Sequence, residues 1–471
     1  MQLTPRRRGR VSRALGLLTA NLLAAAGAHA QSPTPTNEQG AGAPVDGGGV
    51  NDDTRSDIGL TRVDSAVLFY SEAGGRVKAT EPVVSVALNS SSGDVLSIKL
   101  TADILTGATP NGAAPWSGSQ TFITPARAPG STTTVTNASG GSTIVTIPGT
   151  GVVSRQYVVA PNQLPVDAGF RDKRYALDLG YSALVNADTR LSGGASVSTE
   201  RDYSSYSVTA GASRDFNHKN TTVSASLNLE YDLSKPFFGT PTPFTVMSAD
   251  PKGPNQSKMV YSLVAGVTQV INRYWLAQLN YSVGWTNGYQ TDPYRVLSLV
   301  DATSGAPVSY LYENRPRTRL RQSVYVGNKI ALGPTVLDLS GRYYHDSWGI
   351  SSVTGSIAER VPVVRGLYVE PEARYYHQNA ANFFQNYLVN GQAIPTFASS
   401  DSRLGKFDAL TVGAKVGLKV NHSGELYVQG EYYRQTGEAH PAGAPGGLGT
   451  QTLFTGVRAT SILVGYSFAF Y

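Results

Sequence analysis

The sequence predicts an all-β protein, a transmembrane antiparallel β-barrel of about sixteen strands. From residue 94 to the end, apolar and polar residues alternate one for one in segment after segment, and the joints between segments are alternately short and long. Outside residues 1–30, no apolar run approaches the roughly 20 residues that a membrane-spanning helix needs. Lipid-facing and lumen-facing side chains alternate along barrel strands, and periplasmic turns are shorter than external loops, so these observations favour a barrel.

The first 30 residues have the features of a cleaved signal peptide. The basic run Arg6–Arg10 and Arg13 precede an apolar stretch, Ala14–Ala26, and Ala28-His29-Ala30 is a small-x-small cleavage site. We therefore expect export to the outer membrane of a Gram-negative bacterium. Cleavage would remove five of the 39 basic residues and no acidic residue, leaving 34 basic against 33 acidic residues. The mature chain is then nearly neutral, and no nucleic-acid partner is expected.

The mature chain is expected to have two parts. Residues 31–57 are rich in Ser, Pro, Thr, Gly, Asn and Asp and lack apolar periodicity, which predicts a disordered periplasmic leader. Residues 58–471 are predicted to form the barrel. The chain contains no cysteine, so disulfides and thiolate chemistry are excluded.

The alternating pattern predicts each strand in turn. In Thr222–Tyr231, for example, Leu227 and Leu229 share one face and Ser226 and Asn228 share the other. The predicted strands are 62–70, 77–88, 94–104, 171–183, 189–200, 203–215, 221–232, 258–270, 273–285, 318–331, 335–346, 349–359, 365–378, 406–420, 424–435 and 456–470.

The joints support an even strand number with the N-terminus in the periplasm. The first two strands carry the weakest pattern because Pro82 lies inside the second, and proline belongs at edges and bulges. Fourteen strands with a periplasmic N-terminal hairpin therefore stays open as an alternative. With sixteen strands, every long joint follows an odd-numbered strand and is external: 105–170, 233–257, 286–317, 379–405 and 436–455.

The last strand has the form of an assembly signal. Its apolar residues alternate with small or polar ones and end on an aromatic residue, with Tyr471 as one extra residue. We expect the barrel assembly machinery to read it by strand pairing. The residues of the predicted signal are Ile462, Val464, Tyr466, Phe468 and Phe470.

Six phrases of the sequence resemble those of a family of bacterial outer-membrane proteins known only as a domain of unknown function. The resemblance spans roughly residues 60–471 and implies an outer-membrane barrel, but it implies no activity and no catalytic residue. The phrases are 103–112 (DILTGATPNG), 292–295 (DPYR), 313–319, 343–349, 374–384 (RYYHQNAANFF) and 401–404.

These phrases fall at the external ends of strands or in external loops, and they predict a charge network at the external mouth. Arginine binds carboxylates through a planar fork of donors, so such a network could rigidify the mouth or act on ligands and ions. The aromatic residues among the phrases suit a belt at the membrane interface. The predicted network comprises Asp103, Asp292, Glu313, Arg315, Arg317, Arg319, Asp346, Glu372, Arg374, Asp401 and Arg403.

The inward face is predicted to be polar, which favours a passive or weakly selective channel for small solutes. The alternative is a scaffold barrel that sheathes a periplasmic or lipid-anchored partner, for example a redox protein, with no transport of its own. The loop 105–170 could fold inward as a constriction or stretch outward as an interaction surface. The predicted lumen residues include Lys99, Asp178, Asn228, Gln278, Asn280, Asp338 and Arg342.

Signatures of enzymes and of cofactor sites are absent from the sequence. No G-x-S-x-G or H-E-x-x-H motif occurs. His345 beside Asp346, and His377, are the only candidates for hydrolase chemistry, and two imidazoles fall short of a zinc site. We therefore expect no enzymatic activity, no metal and no cofactor, with the outer-membrane lipid and the assembly machinery as partners.

Overall fold

The computed structural model describes residues 61–125, 154–247, 253–420 and 423–470. The expected signal peptide and leader lie outside these residues. The described chain forms strands and three short 3-10 turns. Its strands, in chain order, are β1 (Thr61–Glu72), β2 (Lys78–Asn89), β3 (Val95–Pro110), β4 (Gln120–Pro125), β5 (Ser154–Val159), β6 (Val166–Asn186), β7 (Thr189–Thr199), β8 (Tyr203–Phe216), β9 (Thr221–Ser234), β10 (Gln256–Asn272), β11 (Trp275–Gly288), β12 (Val296–Val300), β13 (Pro307–Tyr312), β14 (Thr318–Leu332), β15 (Thr335–Asp346), β16 (Ser351–Val364), β17 (Leu367–Gln378), β18 (Leu388–Val389), β19 (Phe407–Lys419), β20 (Gly424–Gly437) and β21 (Arg458–Phe470).

Sixteen of these strands close into one antiparallel barrel, which confirms the predicted fold class. Neighbouring barrel strands follow one another along the chain, and the last, β21, pairs with the first, β1. That closing ladder runs without a break from Thr61 opposite Phe470 to Glu72 opposite Ala459. The strand spacing and tilt typical of barrels give sixteen strands a diameter of about 30 Å. The other five strands, β4, β5, β12, β13 and β18, lie in external loops.

The fourteen-stranded alternative is wrong, because β1 and β2 are both full members of the barrel. Pro82 pairs with Val67 of β1, but the ladder between β2 and β3 omits Glu81 and Pro82. Proline lacks the N–H that a ladder on both sides would require. The proline thus interrupts one ladder locally without displacing the strand.

The two faces of the wall differ in the way that the alternation predicts. Large apolar side chains are exposed on one face, and Leu100, Leu227 and Leu279 are 54%, 46% and 52% exposed. The residues between them are polar and less exposed, as Ser226 and Asn228 are beside Leu227. The exposed apolar face is therefore the lipid face, and the polar face lines the lumen.

Strands β3 and β6 extend several residues beyond their predicted external ends. Within this extension, the register of the ladder between β3 and β6 shifts between Gly107 and Thr109. Gly107 has a φ of +126°, and a Cβ there would lie 2.3 Å from the backbone oxygen of Arg76, so only glycine fits. A bulge hides the period of two from the sequence, and the loop is correspondingly shorter, at residues 111–165.

The joints sort by length as predicted. The seven joints at the periplasmic end are short, and Gly333 and Gly366 adopt positive φ in two of them. Five of the eight external joints are long: 111–165, 235–255, 289–317, 379–406 and 438–457. The long joints carry extra pairing that the sequence pattern did not reveal: β4 pairs with β5, and β12 lies between β13 and β18.

The lipid face gives a direct test of register. Leu227 lies in the middle of β9 on the lipid face, so Leu227→Arg places a charge near the bilayer midplane at a cost of about 2–4 kcal/mol. We expect a clear loss of folded, heat-modifiable protein in the outer-membrane fraction. Gln278→Arg, on the lumen face of β11, is the control and should assemble normally. Equal assembly of both variants would contradict the assignment of faces.

Candidate functional site

The external mouth is covered by the long loops. We call their described residues the loop cap: 111–125, 154–165, 235–247, 253–255, 289–317, 379–406 and 438–457. Loops that begin at well-separated strands of the barrel contact one another: the loops after β3 and β11 begin six strands apart, and those after β20 and β3 begin four apart. The Ala114 N–H donates to Ser298 Oγ at 3.0 Å, and Gln451 Nε2 donates to Asn162 Oδ1 at 2.9 Å. Loops rooted so far apart can meet only by crossing the mouth.

Apolar burial holds the loop cap together. Phe122 of β4 is fully buried with Tyr157 of β5, against Val296 and Tyr312 from the loop 289–317. A second cluster joins that loop to 379–406 through Leu297, Leu311, Leu388 and Ala398. A third joins it to 111–165 and 438–457 through Ala114, Val300 and Leu448. Burying one such large side chain contributes about 1.5–3 kcal/mol, so the loop cap is a small folded core.

Six charged residues connect the loops 289–317 and 379–406. We call them the ion-pair clasp: Asp292, Arg295, Glu313, Arg315, Asp401 and Arg403. Asp401 is its centre, with Arg315 Nη2 at 3.0 Å, Arg403 Nη2 at 2.6 Å and Arg295 Nε at 3.6 Å from Oδ2. Arg315 also contacts Glu313, Nε to Oε1 at 2.6 Å. Three cations and three carboxylates make the clasp formally neutral.

Burial and charge act differently on the two most buried carboxyls of the clasp. Burial raises the pKa of Asp401, but Arg295, Arg403 and Arg315 outweigh it and lower the pKa well below its usual range. Burial dominates at Glu313 and raises its pKa. Asp401 is therefore the fixed negative charge around which the arginines gather.

Arg319 and Asp346 of the predicted network form a separate site. Arg319 Nε donates to Asp346 Oδ2 at 2.8 Å, and the hydroxyl of Tyr344 donates to the same oxygen at 2.7 Å. Asp346 Oδ1 accepts the N–H groups of Trp348 and Ile350 at 2.9 and 3.0 Å. This buried carboxylate thus fixes the turn between β15 and β16.

The remaining predicted members of the network lie apart from the clasp. Asp103 contacts Arg174 at 3.6 Å in the barrel wall. Glu372 and Arg374 lie six and four residues inside the external end of β17, so they line the lumen rather than the mouth. Arg317 is exposed. The single ring expected from these residues is therefore not what the structure shows.

Sequence reasoning missed Arg295 as a member of the clasp. It lies three residues after Asp292, in the DPYR phrase, and bridges Asp292 and Asp401 at 3.5 and 3.6 Å. The spacing was a visible signal, but the contact with Asp401 depends on how two distant loops meet.

The predicted lumen residues all lie on the inward face, opposite the exposed apolar side chains. Some are paired: Lys329 Nζ lies 2.9 Å from Asp338 Oδ2, and Thr209 donates to Asn228 at 2.9 Å. The wall is chemically uneven. Strands β7–β11 present mostly hydroxyls and amides, whereas β14–β20 present charged residues and tyrosines. The seven predicted residues are Lys99, Asp178, Asn228, Gln278, Asn280, Asp338 and Arg342.

The aromatic residues of the six phrases divide among three environments. Tyr343 and Tyr375 are exposed on the lipid face, as the interface belt requires. Tyr344 and Tyr376 face the lumen. Trp348 and Phe383 are buried in a cluster at the mouth. The predicted assembly-signal residues Ile462, Val464, Tyr466, Phe468 and Phe470 share the lipid-facing side of β21.

Within the described residues, no group of three or more His, Cys, Asp and Glu side chains could hold a metal ion. In the same part of the chain, no helix is long and apolar enough to cross a membrane. His345 Nδ1 lies 2.9 Å from Ser351 Oγ, and His377 Nδ1 lies 2.8 Å from Asp408 Oδ1, so the two histidines belong to separate pairs.

A family model described as "Protein of unknown function (DUF3570)" matches residues 49–468. No curated protein sequence is a match to this chain. Among solved structures, the chain is similar to OccAB1 of Acinetobacter baumannii, with 9% identity, 88% of this chain and 96% of that chain covered, and a TM-score of 0.38. It is also similar to a bacterial polysaccharide outer membrane secretin, with 7% identity, coverage of 88% and 99%, and a TM-score of 0.43.

The clasp can be tested by removing one arginine. Arg315→Ala removes the arginine that contacts Glu313 and one of the three arginines at Asp401, and removing one member of a buried ion pair costs about 3–5 kcal/mol. We expect faster proteolysis of the loops 289–317 and 379–406 in detergent-folded protein, with the barrel still resistant. Arg317→Ala is the matched control, since Arg317 is exposed in the same loop. Equal proteolysis of both variants would argue against the clasp.

The clasp should also withstand acid. Since Asp401 has a lowered pKa, its stabilising contribution is present above the unfolded value of about 3.9 and is lost only as the pH falls through the folded value. Glu313 has a raised pKa, so its protonation favours the folded loop cap at low pH, and this contribution to stability is lost as the pH rises. We expect loop proteolysis, measured with an acid-active protease, to stay low down to about pH 4. A steep increase between neutrality and about pH 5 would contradict this assignment.

Proposed function

Because the chain belongs to the DUF3570 family, whose description assigns no function, we propose from the barrel itself that it is a channel for small solutes whose entrance is narrowed by the loop cap. The observation that carries this proposal is the continuous polar inner face of a closed sixteen-strand barrel. A barrel of this size normally encloses an aqueous lumen. A wall with so many hydroxyls and charges would be costly to leave dry.

The charges of the lumen favour weak rather than strong ion selectivity. Several of them are neutralised in pairs along the wall, including Arg360 with Glu370 at 2.9 Å and Lys258 with Asp232 at 3.4 Å. Selection by size at the loop cap then becomes the main filter. We propose no enzymatic role and no cofactor for the chain.

The second candidate is a sheath, which the loop cap itself favours. The loops meet across the mouth through buried apolar clusters, which would close the external end of the barrel. A barrel closed in this way would hold a partner and would not conduct. In that case a periplasmic or lipid-anchored protein, for example a redox protein, would enter the lumen from the periplasmic end. The two candidates differ in whether water and ions pass the loop cap.

Conductance separates these candidates. Purified barrel in a planar bilayer should give discrete conductance steps, and replacing residues 117–161 with a short Gly-Ser linker should enlarge them, because β4 and β5 leave the mouth. The same linker inserted in the periplasmic turn at 187–188 is the control. Absence of steps in the intact protein, with large steps in the truncated one, would support the sheath.

Selectivity tests the lumen charges. Arg374 faces the lumen, so Arg374→Ala should shift the reversal potential toward cations in a salt gradient, most strongly at low salt. Arg273→Ala is the charge-matched control, since Arg273 lies in a periplasmic turn. An unchanged reversal potential for Arg374→Ala in a conducting protein would exclude Arg374 from the ion path.

A further inference from the structure

A cavity of about 360 Å³ lies at the external mouth, beside the turn between β15 and β16. The turn contributes Trp348, and the loop 379–406 contributes Asn382, Phe383, Gln385, Thr396 and Phe397. The volume falls at the small end of the range of about 300–1,000 Å³ that ligand sites occupy. The cavity is separate from the lumen residues that the channel proposal uses.

Three aromatic residues line the cavity: Trp348, Phe383 and Phe397. Trp348 and Phe383 are almost completely buried and meet edge to face, with centroids 5.1 Å apart and planes at 80°. Phe397 is partly exposed and packs against the same cluster. Aromatic faces carry negative potential, so they attract polarised C–H groups as well as apolar surface.

The side-chain amides of Asn382 and Gln385 belong to residues that also line the cavity. The backbone N–H of Asn382 donates to the Trp348 oxygen at 2.8 Å, and that of Gln385 donates to the Ser399 oxygen at 2.9 Å, so both residues are fixed through their backbones. Among the described residues, neither side-chain amide has a hydrogen-bond partner. Each therefore offers one acceptor and a pair of donors to a ligand.

The cavity is built in advance of any ligand. Asp346 holds the Trp348 turn, as described above, and Arg319 lies over the Trp348 ring at 4.3 Å from its centroid. Gly349 has a φ of +89°, and a Cβ there would lie 2.2 Å from Asn382 Oδ1, so glycine leaves the space that the Asn382 amide occupies. A preformed site avoids much of the ordering cost of binding.

We propose that this cavity is a binding site for a neutral saccharide ring. A sugar ring has one face of C–H groups, which suits the aromatic lining, and a rim of hydroxyls, each of which can both donate to and accept from an amide. No charged side chain lines the cavity, so an anionic or cationic ligand gains no partner. An acyl chain would leave both amides desolvated without hydrogen bonds.

The saccharide has two possible sources, which the cavity alone does not distinguish. One is a free oligosaccharide in the external medium, and the other is the sugar of a glycolipid in the outer leaflet. Both can reach a cavity at the external mouth. The site does not depend on conduction, so the proposal stands apart from the channel.

The test is direct binding by the full chain in detergent or nanodiscs. One arm uses free maltotriose, lactose and chitobiose in calorimetric titrations. The other arm uses phosphatidylcholine vesicles with and without a neutral glycosyl diacylglycerol in co-sedimentation. We expect binding in at least one arm and a loss of about tenfold or more in affinity for Gln385→Ala and Asn382→Ala. Gln392→Ala is the matched control, because Gln392 is an exposed glutamine of the same loop outside the cavity.

The outcomes separate cleanly. Binding of a free sugar that weakens in the cavity variants but not in Gln392→Ala supports a soluble saccharide, and binding of glycolipid vesicles alone supports a membrane source. No binding in either arm, or equal affinity in all three variants, would overturn the site. Heat modifiability on gels verifies that each variant is folded, so a loss of binding cannot be ascribed to failed assembly.

Discussion

The pairing of β1 with β21 is the constraint on which the rest of the structure depends. No water satisfies backbone N–H and C=O groups in the hydrocarbon region, so a sheet that crosses the bilayer must close on itself. An antiparallel closure of the first strand on the last requires an even strand number. The even number in turn places the start of β1 and the end of β21 on the same side as the short turns, and every long loop on the other side. The loop cap, the clasp and the cavity are collected at one mouth for this reason.

The strands could be predicted from sequence because their signal is local. Each residue of a strand faces either lipid or lumen, so a period of two marks residues such as Leu227 and Asn228 without knowledge of any neighbour. Prediction of the strand ends failed where the backbone departs from that period, as it does at Gly107 in β3. Prediction also failed at Glu372 and Arg374, which were placed at the mouth because Arg374 begins the phrase 374–384 and Glu372 lies two residues before it. At about 3.3 Å of rise per residue, however, they stand well inside the barrel.

The loop cap could not be predicted because its contacts join segments that are distant in sequence. Phe122, Val296 and Leu448 give no sign in the sequence that they belong to adjoining cores. Their burial supplies the free energy that brings the loops together. Buried ion pairs add little net stability, since the cost of desolvation offsets much of their attraction. The clasp therefore fixes how the loops 289–317 and 379–406 are arranged, because Asp401 contacts arginines from both loops.

The loop 379–406 connects the clasp to the cavity through Ser399. Ser399 donates from its hydroxyl to Glu313 of the clasp, and its backbone oxygen accepts the N–H of Gln385 at the cavity. A ligand that orders the cavity therefore also holds the segment that carries Asp401. In the proposed channel, a rigid loop cap would favour size selection at the entrance, because loops that fluctuate would admit solutes of varied size. In the proposed channel, the buried charges would fix the shape of the opening, while pairs such as Lys258 with Asp232 and Arg360 with Glu370 would reduce the charge that the wall presents to ions.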